Sequence, residues 1–174
     1  MSAISATPTT AAAVRRPGML VATISIVVVT ALAAIVNGII TATGGKEVIK
    51  QAFENAGYGS LSDSDIETMA QLAGYSSTDD MLSSFTMRGY LVAGCGVLLL
   101  LFGILMRKAA TFARVMVTIS AVLVMVFSLL ILGDETTGTM AGLSMLAMLG
   151  GVLSIIFTWL PPNGRYGKAV RAAG

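Results

Sequence analysis

Long uncharged stretches alternate along the chain with short charged ones. Apolar runs extend from Pro17 to Gly45, Gly89 to Met106, Val115 to Gly133 and Thr136 to Gly164. Crossing about 30 Å of hydrocarbon at 1.5 Å per helical residue takes about 20 residues, so each run is long enough for a transmembrane helix. The pattern predicts an all-α integral membrane protein, a four-transmembrane-helix bundle with a small helical extracytoplasmic insertion between spans 1 and 2. The expected segments are a flexible tail (1–17), a first span (18–43), the insertion (44–87), a second span (88–106), a loop (107–114), a third span (115–133), a short loop (134–139), a fourth span (140–160) and a basic tail (161–174). Within the first run, Ala31-Leu32-Ala33 fits a signal-peptide cleavage site. The run nevertheless stays apolar through Ile35, Val36, Ile39 and Ile40, which favours an uncleaved anchor.

The insertion carries helical periodicity and strong punctuation. Val48, Ile49, Ala52 and Phe53 share one face of a helix from Lys46 to Ala56, closed by Gly57. A second helix is expected from Ser62 or Asp63 to Gly74, and a third from Thr78, with Asp79 and Asp80 in its first turn, running straight into the second span. Ala56-Gly57-Tyr58-Gly59-Ser60 and Ala73-Gly74-Tyr75-Ser76-Ser77 form an echo 17 residues apart, read as two similar helix caps with a Tyr over each turn.

Charge then orients the spans. Arg15, Arg16, Arg107, Lys108, Arg114, Arg165, Lys168 and Arg171 would share one side with no acid among them. All nine acidic residues fall on the other side with Lys46, Lys50 and Arg88. Flanking Lys and Arg are retained in the cytoplasm, so both termini are expected inside. Trp159 and Tyr166 at the inner boundary and Tyr90 at the outer one fit aromatic belts.

Composition supports the membrane reading: 55% of the 174 residues are hydrophobic and 11% charged, with a mean hydropathy of +0.84. Histidine is absent and Cys95 is the sole cysteine. Haem ligation in the usual way through imidazole, His-type metal sites, a Ser-His-Asp set and an intramolecular disulfide are thereby excluded. No nucleotide-binding loop is present, and the short basic patches follow from topology rather than nucleic-acid binding. Asp63, Asp65 and Glu67 alternate like the start of a calcium loop, but Thr68 and Gly74 stand where Gly and Glu are needed. The eleven methionines, five of them in the last two spans (Met116, Met125, Met140, Met145 and Met148), read as gap fillers rather than a soft-metal conduit. Neither a cofactor nor a catalytic residue is assigned.

What remains points to contact surfaces. Asn37, the strongest polar group in the spans, is expected to hydrogen-bond to another helix. Gly94, the pair Gly138 and Gly142, and the pair Ala147 and Gly151 mark places where helices could approach closely. Phe53, Tyr58, Tyr75, Asp79 and Asp80 are candidate contacts of the insertion. The layout resembles tetraspan membrane proteins in general, without the cysteine signatures of tetraspanins or claudins. The alanine-, valine- and threonine-rich style resembles small actinobacterial membrane proteins, which implies a plasma membrane and no activity. The expected role is a non-enzymatic accessory, assembly or interaction subunit in the lipid bilayer, partnered by other membrane subunits or by itself. A small passive channel, transporter or holin-like pore is the alternative.

Overall fold

The computed structural model describes residues 18–108, 111–133 and 136–172. The expectations for residues 1–17, for the acidic pair at 134–135 and for the side chains of Tyr166 and Arg171 lie outside the described residues. Seven α-helices and no strand are present among the described residues: α1 Gly18–Thr43, α2 Gly45–Asn55, α3 Asp63–Leu72, α4 Thr78–Leu105, α5 Thr111–Gly133, α6 Gly138–Trp159 and α7 Pro161–Ala172. Four of them, α1, α4, α5 and α6, are long and apolar enough to cross a membrane.

These four pack side by side, α1 against α4 and α6, and α5 against α4 and α6. Their buried faces follow a three-four spacing. On α1 the enclosed positions include Leu20, Thr23, Val27, Thr30, Ala34, Asn37 and Thr41, and on α6 Met140, Ser144, Ala147, Gly151, Ser154 and Thr158. This is the heptad seam of left-handed helix packing. Large apolar side chains take the complementary positions: Val29, Leu32, Val36 and Ile39 of α1 all face outward. Small and polar groups thus share the interior with aliphatic residues such as Leu20, Val27, Leu99 and Met140, while further bulky aliphatic groups cover the outside.

The most extensive contact is between α1 and α4. On α4, Gly89, Gly96 and Gly103 recur at seven-residue intervals on the buried face. A Cβ placed on Gly38 would stand 2.5 Å from the Ala93 nitrogen and 2.6 Å from the Gly89 oxygen, and one on Gly89 would stand 2.5 Å from the Ala42 nitrogen. Gly96 faces Ala31 and Ile35 in the same way, and Gly103 faces Val27. At Gly38 and Gly89 backbone meets backbone, so no larger residue fits there without separating the helices, while Gly96 and Gly103 make room for the Ile35 and Val27 side chains.

Several helix bounds differ from those read in the apolar runs. The second span is part of α4, which runs on from Thr78 as the acidic first turn predicts, and Ser77 caps its start, its hydroxyl accepting from the Asp80 backbone N–H. α5 begins at Thr111, so Arg114 belongs to a helix rather than to a loop. Thr137 caps α6, accepting from the Met140 N–H at 3.3 Å. After Trp159 the chain breaks at Leu160, whose extended ψ of 142° suits a residue preceding proline. Pro161 then opens α7 at the first helical position, where its missing N–H leaves no bond unmade. The basic tail is therefore helical to Ala172.

Candidate interaction surface and the buried polar contacts

Residues 44 to 87 fold into a small unit with its own apolar centre. Ile49 of α2, Ile66 and Ala70 of α3 and Met81 of α4 are buried together, with Phe53, Leu61, Tyr75, Leu82 and Phe85 packed around them. Both Gly-Tyr turns are Schellman caps. At the end of α2, the Gly57 N–H donates to the Glu54 carbonyl at 3.0 Å and the Tyr58 N–H to the Phe53 carbonyl at 3.1 Å. At the end of α3, the Gly74 N–H donates to Gln71 at 3.0 Å and the Tyr75 N–H to Ala70 at 2.9 Å. Gly57 and Gly74 have φ of 94° and 88°, a left-handed conformation that costs glycine little. The hydrophobic contact that accompanies such caps is present at the first, where the Tyr58 and Phe53 rings meet edge to face at 5.6 Å. The 17-residue echo is thus one capping solution used twice.

The carboxylates are engaged one by one. Ser62 and Asp65 form a capping box at the start of α3, and the Ser62 hydroxyl and N–H both donate to the Asp65 carboxylate and hold its pKa below the ordinary 3.8. Glu67 accepts from the hydroxyl and the N–H of Thr78. Those two bonds depress its pKa below 4.5 and tie α3 to the start of α4. Asp63 pairs with Lys50 at 2.8 Å. The bond lowers the Asp63 pKa and raises that of Lys50 above 10.5. Asp63 is exposed and Lys50 only partly covered, so the pair adds little stability. The three alternating acids therefore point to three different partners. Asp80 accepts weakly from Ser76, while Asp79 is exposed in the first turn of α4, where the helix dipole favours it.

Of the five residues expected to make contacts here, Phe53 and Tyr75 flank the small core, whereas Tyr58, Asp79 and Asp80 face outward. The structure adds Leu72, 83% exposed at the end of α3, and Met87 and Tyr90, both more than 60% exposed on α4. Met87 and Tyr90 line a shallow hollow of about 550 Å³ with Ser83, Ser84, Thr86 and Arg88. Hydropathy does not single these out, because Tyr90 falls within the second apolar run and Met87 stands beside its boundary at Arg88.

Among the span residues, Asn37 is fully enclosed and its amide donates to the Ser144 hydroxyl of α6 at 2.8 Å. Its backbone carbonyl accepts from the Thr41 hydroxyl at 2.9 Å, while its side-chain oxygen is buried without a hydrogen-bond partner. Ala147 and Gly151 lie in the interior, Gly151 against Met125 of α5. Gly94, Gly138 and Gly142 have open space around them and face outward. The close approach falls instead on Gly38, Gly89, Gly96 and Gly103.

A second polar cluster lies at the α7 end. Asn163 is 1% exposed and its amide donates to Thr23 of α1 at 3.0 Å and to the Phe157 carbonyl at 2.8 Å. Its backbone carbonyl accepts from the guanidinium of Arg114, which is itself buried. Trp159 donates to Thr118 at 3.0 Å, and the Thr158 hydroxyl approaches the Met106 sulfur at 3.9 Å. A charged group therefore does sit within a long apolar helix. Arg114 lies in the first turn of α5, immediately before the uncharged run from Val115 to Gly133. Comparison with protein-family models, with curated proteins and with solved structures gives no match.

Proposed function

We propose that this chain is a non-enzymatic accessory or assembly subunit of a plasma-membrane complex, held as a four-helix transmembrane bundle with both termini in the cytoplasm. One observation carries the reading. Asn37, the polar group best suited to line a path through the spans, is wholly enclosed and bonded to Ser144 at 2.8 Å. Its role is then internal packing. Recognition falls to the segment between α1 and α4, where seven acids face two lysines over residues 44 to 87 and Leu72, Tyr58 and Met87 stand exposed. Partners with a basic, partly apolar face at the membrane surface suit it.

The test is capture of the tagged full chain from its native membrane in mild detergent. A partner retained by the wild type and lost from Leu72→Asp or Met87→Asp supports the proposal. Capture of no partner, or retention by both variants, contradicts it. The passive-pore alternative draws on the oxygens of Ser128 and Ser154, which are buried without hydrogen-bond partners. Conductance in planar bilayers that disappears in Asn37→Leu would favour it instead.

A further inference from the structure

The end of the molecule opposite α2 and α3 collects cations with no carboxylate side chain nearby in sequence to match them. Arg107 and Lys108 lie in the single helical turn after α4, and Arg165, Lys168 and Arg171 fall at positions i, i+3 and i+6 of α7. Every Asp and Glu lies between positions 47 and 135. α7 is held at this end by the contacts of Asn163 with Thr23, Phe157 and Arg114, so its basic face keeps a fixed place beside α1.

Beside this cluster α1 and the turn after α4 enclose a groove of about 380 Å³, lined by Leu20, Val21, Ile24, Ser25 and Arg107. Leu20 is buried in its floor. Val21, more than half exposed, belongs to the surface that meets hydrocarbon. The groove thus combines an aliphatic wall, one hydroxyl and one exposed guanidinium at its rim. Free phosphate would have no use for the wall, and a lipid tail alone would have no use for Arg107.

We propose that this groove binds one anionic phospholipid of the adjoining leaflet. The acyl chain lies along Val21 and Ile24, the ester region meets the Ser25 hydroxyl, and the phosphate is held by Arg107 with the basic face of α7 behind it. Selection for an anionic headgroup follows from the surrounding charge, since each Lys or Arg near an anionic surface strengthens attraction about fivefold. The assignment depends on α1 and α4 spanning a bilayer and is independent of any protein partner.

The experiment is lipid titration of the delipidated full chain in detergent by native mass spectrometry. The probes are phosphatidylglycerol and phosphatidylcholine with matched chains, with inorganic phosphate as competitor. One phosphatidylglycerol should bind at least about fivefold more tightly than phosphatidylcholine. Arg107→Gln should abolish that preference without changing helicity, because the side chain is exposed. Val21→Trp, which fills the groove, should weaken both lipids. Equal affinity for the two lipids overturns the proposal, as does a preference that survives Arg107→Gln. Displacement of the lipid by inorganic phosphate alone would mark a simple anion site and also overturn it. Loss in Arg165→Gln/Lys168→Gln with none in Arg107→Gln would move the lipid to α7 and reject the groove.

Discussion

The contact between α1 and α4 and the small core of α2, α3 and the start of α4 hold helices together by opposite means. Gly38 and Gly89 bring two backbones into contact, and Gly96 and Gly103 leave room for the Ile35 and Val27 side chains, whereas Ile49, Ile66, Ala70 and Met81 meet through aliphatic bulk. In lipid a buried leucine gains nothing over an exposed one, so the close fit of small residues drives association. In water the removal of apolar surface is the main driving force. The chain applies both rules within a few residues of each other on α4, whose first turns belong to the water-exposed core and whose remainder belongs to the glycine seam. Capping follows the same division: Schellman turns and a capping box serve the ends exposed to water.

Opposite responses to substitution test that contrast. The largest effect is expected for Gly38→Ala and Gly89→Ala. Each adds a methyl within 2.6 Å of facing backbone atoms and should cost at least the ~3 kcal/mol that marks severe overpacking. Gly94→Ala and Gly142→Ala, with open space around them, should stay within about 0.5 kcal/mol. Unfolding in mixed micelles measures all four, and equal losses would erase the distinction between the seam and the lipid face. Ile66→Ala should come next, at ~2–3 kcal/mol for a fully buried aliphatic residue. Amide exchange should show that loss in α2 and α3 and leave α5 and α6 protected. Uniform exchange along the chain would instead merge the two regions into one cooperative unit.

A smaller effect is expected for the single hydrogen bond between α1 and α6. A double-mutant cycle on Asn37→Leu and Ser144→Ala should give a coupling of about 0.6–1 kcal/mol, typical of bonds within membranes. The smallest is a response to acid. Asp63, Asp65 and Glu67 have folded pKa values below their ordinary 3.8, 3.8 and 4.5 through bonds from Lys50, Ser62 and Thr78. A depressed carboxyl stabilises the fold above its ordinary pKa, and that contribution disappears as the pH falls through the folded value. Exchange in α3 and at the start of α4 should therefore rise as the pH drops below 4.5 and continue to rise below 3.8. The glycine seam, which has no titratable group, should not respond.

Much of this was legible in the residues. Gly57 and Gly74 announced their caps, because a glycine after an amphipathic run has few other uses. Thr78-Asp79-Asp80 announced the start of α4. Four apolar runs predicted four long helices, since hydrocarbon demands continuous apolar length. The face of each span was harder to see. Inside lipid the hydrophobic pattern no longer separates interior from exterior, and the signal passes to small and polar residues at heptad spacing. Thr23, Thr30 and Asn37 carry it on α1, and Gly89, Gly96 and Gly103 on α4. Gly138 and Gly142 satisfy the same spacing rule and yet face outward, because a motif on one helix does not specify which neighbour meets it.

The sequence by itself determined the helical class, the number of long apolar helices and the caps of the segment between the first two, since each depends on local length, periodicity and backbone preference. Only the tertiary structure decided that Asn37 meets Ser144, that α4 lies against α1 through its glycines, and that Arg114 and Asn163 hold α7 in place. Those pairings join residues 107, 51 and 49 positions apart. Their partners are chosen by how whole helices fit in a medium that offers apolar side chains no preference of its own.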